Sequence, residues 1–252
     1  LRQPVGAGTA VDRGMILAID FGSTSIKTGV FDRRLRQLRE GSARLTYRRG
    51  ADGRVELDVA GVERAVRRAM PEVRDVTAIA VTSQAQTFMT GQRPFVSWLD
   101  TRAGAACAAL QKELKDAGAH GSFELCAPLQ VCQLKRVPTR ETVVSLPSYF
   151  VRAWTGEHVI DDNLAAMSGL YSLRDNDWWP AALRACRLRR EQLARVVPVG
   201  SVAAVTRKNG YGLPVGVPVV LAGNDQTAGA FGARLEDSNG VLLTLGTALV
   251  AY

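Results

Sequence analysis

Histidine is nearly absent from this sequence: His120 and His158 are the only two in 252 residues, and the four cysteines, Cys107, Cys126, Cys132 and Cys186, form no CxxC pair. Spacing for a zinc-type ligand set is therefore missing, and the thiols read as buried and reduced. No apolar run approaches the ~18 residues needed to cross a bilayer, and the first fourteen residues lack the apolar core of a signal peptide. A cytoplasmic protein with no membrane partner is the expectation. Aromatics make up 6% of the chain, and its net charge of +8 rests on scattered arginines such as Arg33, Arg34, Arg36 and Arg39, with a second group at Arg184, Arg187, Arg189 and Arg190. A nucleic-acid partner would call for basic clusters interleaved with stacking aromatics or for a known binding motif; with neither present, solvated faces that help attract anionic nucleotides are the better reading. No repeat of 20 to 50 residues and no low-complexity linker divides the chain. With 46% hydrophobic and 22% charged residues it has an ordinary globular composition.

What is present begins at Met15. The run Met15 to Ile19 is short, apolar and bounded by Gly14 and Gly22, which suits a buried strand ending at Asp20. The turn Gly22-Ser23-Thr24 follows, then a second apolar strand from Lys27 to Phe31. Glycine lets backbone N–H groups approach an anion, Ser23 and Thr24 add donors and Lys27 adds charge, so this turn can hold a phosphate. Asp20 beside it can hold Mg2+, through water, because Mg2+ dehydrates reluctantly. A Walker A loop is excluded: Lys27 stands where the second glycine belongs, and a strand follows where a helix is required. The competing structural reading is an ordinary Gly-Ser-Thr hairpin turn.

Further elements follow in order. Arg36 to Thr46 reads as a third antiparallel strand. Asp58 reads as the N-cap of a helix whose stripe is Val62, Ala65, Val66, Ala69 and Met70. Val76 to Thr82 is a buried strand whose carboxyl end delivers Gln84 and Gln86 to the same edge as Asp20, if the two strands are parallel neighbours. Phe95 to Ser97 is a short strand leading to Trp98. Asp100 or Thr101 is expected to cap a helix carrying Ala106, Cys107, Leu110 and Leu114 and stopping at Gly118. Trp98 is either core or a flat wall for a sugar face or an aliphatic polyol. Helices are expected at Pro147 to Trp154, closed by Gly156, at Asn163 to Gly169 and at Trp178 to Cys186.

The second informative stretch is Val217 to Ala233. A buried strand, Val217 to Ala222, ends in Gly223-Asn224-Asp225-Gln226, and the small residues beyond it permit a tightly packed helix. Asp225 is then at a helix N-terminus, where the dipole favours the ionised carboxylate and keeps it ready to accept a proton. N-cap is the simpler role, and the two are compatible. Val241 to Leu245 is a last strand running into Gly246-Thr247, a second glycine-hydroxyl turn.

Taken together, AIDFGSTSIK (18 to 27), TSQAQT (82 to 87), SWLDTRAG (97 to 104), AGNDQTAGA (222 to 230) and LTLGTA (243 to 248) resemble the amino-terminal half of the FGGY carbohydrate kinases. The resemblance implies an α/β, ribonuclease H-like domain of the actin-like ATPase superfamily, a mixed sheet with helices on both faces. It implies ATP-dependent phosphorylation of a sugar or polyol hydroxyl, with ATP and Mg2+ as cofactors. Carried over by position, Asp225 matches the general base, Asp20 and Asp225 the metal-binding acids, and Gly22, Ser23, Thr24, Lys27, Gly246 and Thr247 the phosphate contacts. Gln84, Gln86, Trp98, Asp225 and Gln226 fall where relatives hold the sugar or polyol. Gln86 stands where the family often has histidine or an acid, and the lysine-to-tryptophan signature of relatives survives only as Lys135-Arg136-Val137-Pro138.

The expected organisation is a disordered extension over residues 1–14 and a sugar-binding domain over residues 15–252, with the carboxyl-terminal nucleotide domain absent and the chain alone inactive. A homodimer is left open. Two other readings remain beside the kinase: a noncatalytic sugar-binding remnant, and an actin-like or chaperone-like nucleotide switch that shares phosphate hairpins but takes no small acceptor.

Overall fold

A computed structural model describes residues 14–103, 110, 113, 114, 140–235, 240–245 and 249–251. The expected extension before Met15 lies outside the described residues apart from Gly14, as do the Lys135-to-Pro138 segment and three of the four cysteines; Cys186 is buried.

Three antiparallel strands open the chain: β1 (Met15–Phe21), β2 (Ser25–Phe31) and β3 (Gln37–Arg44). In β1 the alternation sends Leu17, Ile19 and Phe21 into the core, while Ala18 and Asp20 face the other side of the sheet, as a period of two requires. Strands β4 (Tyr47–Arg49) and β5 (Val55–Leu57) form a second hairpin, and α1 (Val59–Ala69) follows. Asp58 caps α1 as its sequence position indicates, accepting from Gly61 N at 3.0 Å, and Val62, Ala65, Val66 and Ala69 are its buried stripe. Met70, the C-cap, packs partly buried against the same core.

β6 (Val76–Ser83) then pairs parallel with β1, with Asp20 opposite Thr82. Short strands β7 (Phe88–Thr90), β8 (Phe95–Val96) and β9 (Val143–Ser145) complete a five-stranded sheet with order β4-β5-β8-β7-β9. Beside it Asp100 Oδ2 accepts from Val55 N at 2.9 Å and pairs with Arg102 at 2.7 Å; the start of the helix that Asp100 or Thr101 is expected to cap lies outside the described residues. Of the helix expected beyond it, Leu110 and Leu114 are buried, and most of the remainder lies outside the described residues.

α2 (Leu146–Thr155) is closed by Gly156 at φ 82°, a left-handed cap that glycine adopts without strain. β10 (Val159–Asp161) leads directly into α3 (Asp162–Met167), which begins and ends slightly before the expected span. β11 (Tyr171–Ser172) pairs with β12 (Asp177–Trp178), so Trp178 is a strand residue and α4 (Pro180–Cys186) starts only at Pro180. Proline's fixed φ and missing N–H suit that first helical position.

β13 (Arg195–Val197) pairs parallel with β10. β14 (Val202–Val205) and β15 (Pro218–Asn224) complete the principal sheet, whose order is β14-β15-β6-β1-β2-β3, and α5 (Asp225–Gly232) follows β15 without a break. β16 (Leu243–Leu245) and β17 (Leu249–Ala251) make a separate antiparallel pair, with Gly246 and Thr247 of its turn outside the described residues.

α1 and α2 cover one face of the principal sheet, where Phe21, Phe150 and Trp154 stack and Tyr211 meets the last two edge-on. α5 lies on the other face, its Ala228 sharing a recess with Ala18 and Asp20. A second apolar core joins α3, α4, β11 and β12. Among the described residues no helix is long and apolar enough to cross a membrane.

Candidate active site

β15, β6 and β1 are parallel neighbours, so their carboxyl ends leave the sheet on one edge. That is where ligands gather in open α/β sheets. Register makes the placement specific: Asp20 lies opposite Thr82, and Asn224 lies opposite Ser83, one residue before Asp225.

Asp20 is mostly buried, and its Oδ1 has no hydrogen-bond partner among the described residues. Burial, reinforced by the charge of Asp225, raises its pKa to about 6, against the pull of Lys27, its register partner on β2. Two carboxylates within electrostatic reach of each other, one with an orphaned oxygen, form a donor set that suits a hard divalent cation. Among the described residues there is no cluster of three histidine, cysteine or acidic ligands; Mg2+ completes its shell with water and phosphate oxygens. Asp20 and Asp225 are the residues that would hold it.

Asp225 is the first residue of α5, and the cap is its neighbour: Asn224 Oδ1 accepts from Thr227 N at 2.8 Å and from Thr227 Oγ1 at 2.7 Å. Gln226 N and Asn224 Nδ2 both donate to Asp225 Oδ1, at 2.9 and 3.3 Å. The sequence pointed to an acid held ionised by the helix terminus. Instead burial dominates and the pKa of Asp225 is raised, with the Gln226 N–H and Lys27 opposing. A carboxylate shifted in this direction is a stronger base when it is ionised.

The turn into α5 is fastened from two sides. Gly223, at φ 74°, bulges out of β15; its carbonyl accepts from Thr82 Oγ1 at 2.9 Å, and a Cβ there would stand 3.0 Å from Asn163 Oδ1. That Oδ1 accepts from Asn224 N at 2.9 Å. Thr82 and Asn163 therefore position Asp225, and no sequence signal marked either one, because the partners lie 141 and 61 residues away.

The first turn is braced by side chains that the sequence placed at the acceptor. Trp98 Nε1 donates to Ser23 Oγ at 3.0 Å, and Tyr47, which sequence reading missed, donates to Ser23 O at 2.6 Å. Gln84 Nε2 donates to Gly22 O at 3.2 Å, while Gln84 Oε1 accepts from Thr87 Oγ1 at 3.2 Å. Gly22 sits close to the acid, since a side chain there would meet Ser25 O at 3.1 Å and Asp20 Oδ2 at 3.5 Å. Thr24 and Lys27 are exposed beside this turn.

Gln86 holds a left-handed backbone at φ 57° and donates through Nε2 to Met167 O at 2.9 Å. Gln226 Oε1 is buried with no partner among the described residues. Asp20 and Lys27 line a broad recess of about 880 Å3 on the open face of the principal sheet. Gln84 and Gln86 line a smaller cavity of about 60 Å3. Gly246 and Thr247 lie outside the described residues, so their relation to this edge is not described.

The model of the FGGY family of carbohydrate kinases, N-terminal domain, matches residues 133–232. Glycerol kinase of Chelativorans sp. is 26% identical over 94% of this chain and 53% of its own length. Xylulose kinase of Escherichia coli is 25% identical over 94% of this chain and 54% of its own. Among solved structures, xylulose kinase from Rhodospirillum rubrum superposes with a TM-score of 0.79 at 20% identity, covering 92% of this chain and 54% of that one. Plasmodium falciparum glycerol kinase with ADP gives 0.79 at 14% identity, covering 95% and 54%. The chain spans about half the length of the curated relatives it matches.

Proposed function

We propose, from its similarity to the FGGY family of carbohydrate kinases and to the ribonuclease H-like fold of their solved structures, that the chain is the acceptor-binding half of an ATP-dependent kinase acting on a sugar or polyol hydroxyl. The observation that carries this reading is the shared edge: Asp225 at the end of β15 and Asp20 at the end of β1, with Lys27 electrostatically linked to both.

Phosphoryl transfer asks little covalent chemistry of a protein and depends on positioning and charge neutralisation. In this reading Asp225 takes the proton of the attacking hydroxyl. Its raised pKa suits a general base, and the bonds to Oδ1 fix the carboxylate in place. Gln226, with its unpartnered oxygen, accepts from another acceptor hydroxyl, and Trp98 and Gln86 supply further contacts. The Gly22-Ser23-Thr24 turn and Lys27 hold phosphate oxygens, as would Gly246 and Thr247. Asp20 and Asp225 would hold Mg2+, which would supply charge neutralisation for the transferred phosphoryl group. The half-length match to relatives supports a carboxyl-terminal domain as the source of the remaining nucleotide contacts.

The test is Asp225→Asn in a form of the protein carrying that second domain. Removing a general base costs typically 10²- to 10⁴-fold in turnover. We expect ADP release dependent on sugar or polyol to fall by about that factor, with the circular dichroism spectrum and unfolding midpoint close to those of the parent. Turnover equal to the parent's would remove Asp225 from this role.

A further inference from the structure

The cavity of about 60 Å3 beneath the 84–87 loop lies between the five-stranded sheet and the second core, with Phe88, Val143, Ile160, Leu164, Trp178 and Leu193 among its walls. The hydroxyl and amide N–H groups of its wall are engaged with the protein itself. Ser145 and Ser148 share a hydrogen bond of 2.6 Å, and Ser148 Oγ also donates to Val159 O at 2.6 Å. Ser168 Oγ donates to Ala165 O at 2.5 Å, and Thr87 Oγ1 to Gln84 Oε1 at 3.2 Å. The amide nitrogens of Gln84 and Gln86 donate to Gly22 O and Met167 O. A water molecule needs two to four polar partners to be held in a cavity, and apolar cavities large enough for small molecules stay dry and admit benzene or xenon. The space therefore suits a small apolar group far better than a hydroxyl.

Its position ties it to the acceptor. Gln86, an acceptor contact in the proposed function, lines it directly, as does Gln84, which braces the Gly22 turn. Leu164 of α3 forms part of its wall, and the preceding residue, Asn163, holds Asn224 N beside Asp225. One short helix thus connects the cavity wall to the turn that carries the proposed base.

We propose that this cavity receives the apolar end of the acceptor, so that the site selects a sugar or polyol with a methyl terminus over its fully hydroxylated counterpart. This rests on the acceptor-binding reading above. A hydroxyl pushed into the same space would lose its water partners and find few replacements, since the wall hydroxyl and amide N–H groups are already paired.

The test uses the 252-residue chain in two arms. Xenon, followed by 129Xe magnetic resonance, reports on the cavity whatever the protein's function. Calorimetric titration with matched pairs, propane-1,2-diol against glycerol, 1-deoxy-D-xylulose against D-xylulose and L-rhamnulose against L-fructose, reports on the acceptor. We expect xenon to enter, and the deoxy member of at least one pair to bind about tenfold or more tightly than its partner, within the range a hydrophobic pocket can discriminate. Ala194→Leu and, independently, Val143→Phe should fill the space, exclude xenon and abolish the difference within the pair. Equal binding within every pair that binds, a preference for the hydroxylated member, or a deoxy preference that survives both folded variants overturns the assignment. If xenon enters but no member of any pair binds, the acceptor reading itself falls and carries this assignment down with it. If sugars bind but xenon is excluded, only the cavity assignment fails.

Discussion

Asp20 shows how a single buried carboxylate makes stability depend on pH. Its carboxyl keeps a proton up to about pH 6 in the folded protein, whereas the ordinary value is 3.8. Between those values the native state binds more protons than the unfolded one, so stability falls as pH rises through this window and the loss is complete above it. Asp161 behaves alike: it is fully buried, its Oδ2 has no partner among the described residues, and burial raises it to about 6. We therefore expect urea midpoints of the metal-free protein to decline from about pH 4 to pH 6 through these two groups. Asp20→Asn removes one share of that decline and should stabilise the fold at pH 7 by roughly 1 to 3 kcal/mol. Mg2+ should stabilise the parent at pH 7 and leave the variant little changed. An asparagine variant no more stable than its parent at pH 7 would show that water reaches Asp20 freely.

At the scale of elements, the start of α5 depends on Asn224, which gives one side-chain oxygen to both donors of Thr227. Losing such a cap costs about 1 kcal/mol. Asn224→Ala should lower the unfolding free energy by about that amount, while Asn224→Asp should retain most of it; equal loss in both would mean that the cap bonds contribute little. α1 meets the sheet more tightly still. A Cβ on Gly41 would lie 2.0 Å from the carbonyl oxygen of Ala69, and Thr28 Oγ1 already donates to that oxygen at 2.5 Å. Gly41→Ala must push α1 off β3, and overpacking of this kind costs typically 1 to 3 kcal/mol. A variant within 0.5 kcal/mol of the parent by chemical denaturation would mean that the helix end gives way freely.

These elements also show what the sequence could disclose. Strands β1, β6 and β15 were legible because each is a continuous apolar run ending in a polar turn, and α1 because Asp58 and its stripe are local signals. Of the five-stranded sheet only β8 was legible, as the short strand expected at Phe95 to Ser97, since its strands are two or three residues long and some pair across more than 50 residues, as Phe88 does with Ser145. The site divided in the same way. Asp20, Gln84 and Asp225 announced themselves at strand ends, whereas the bonds from Trp98 to Ser23 and from Asn163 to Asn224 exist only once the chain has folded.

For the whole molecule, the two apolar cores should differ in how readily they open. The first is continuous across the principal sheet, α1 and α2, with the stacked Phe21, Phe150 and Trp154 at its centre and three parallel strands whose backbone bonds are shielded. The second rests on α3, α4 and two-stranded ladders, and it encloses the 60 Å3 cavity, where wall atoms lack partners and packing energy is forgone. Native proteins open in cooperative units, and the units with fewer buried contacts open at lower free energy. Amide exchange should therefore show β1, β6 and β15 protected to the global unfolding limit, with β11, β12 and α4 exchanging through a sub-global opening of lower free energy. A ligand that fills the cavity should slow exchange in α3 and α4 more than in β1, because its binding energy is available only while the second core is closed. Exchange at a single common free energy in both regions, with and without ligand, would show that the two cores form one cooperative unit and that the cavity does not weaken the half of the molecule that contains it.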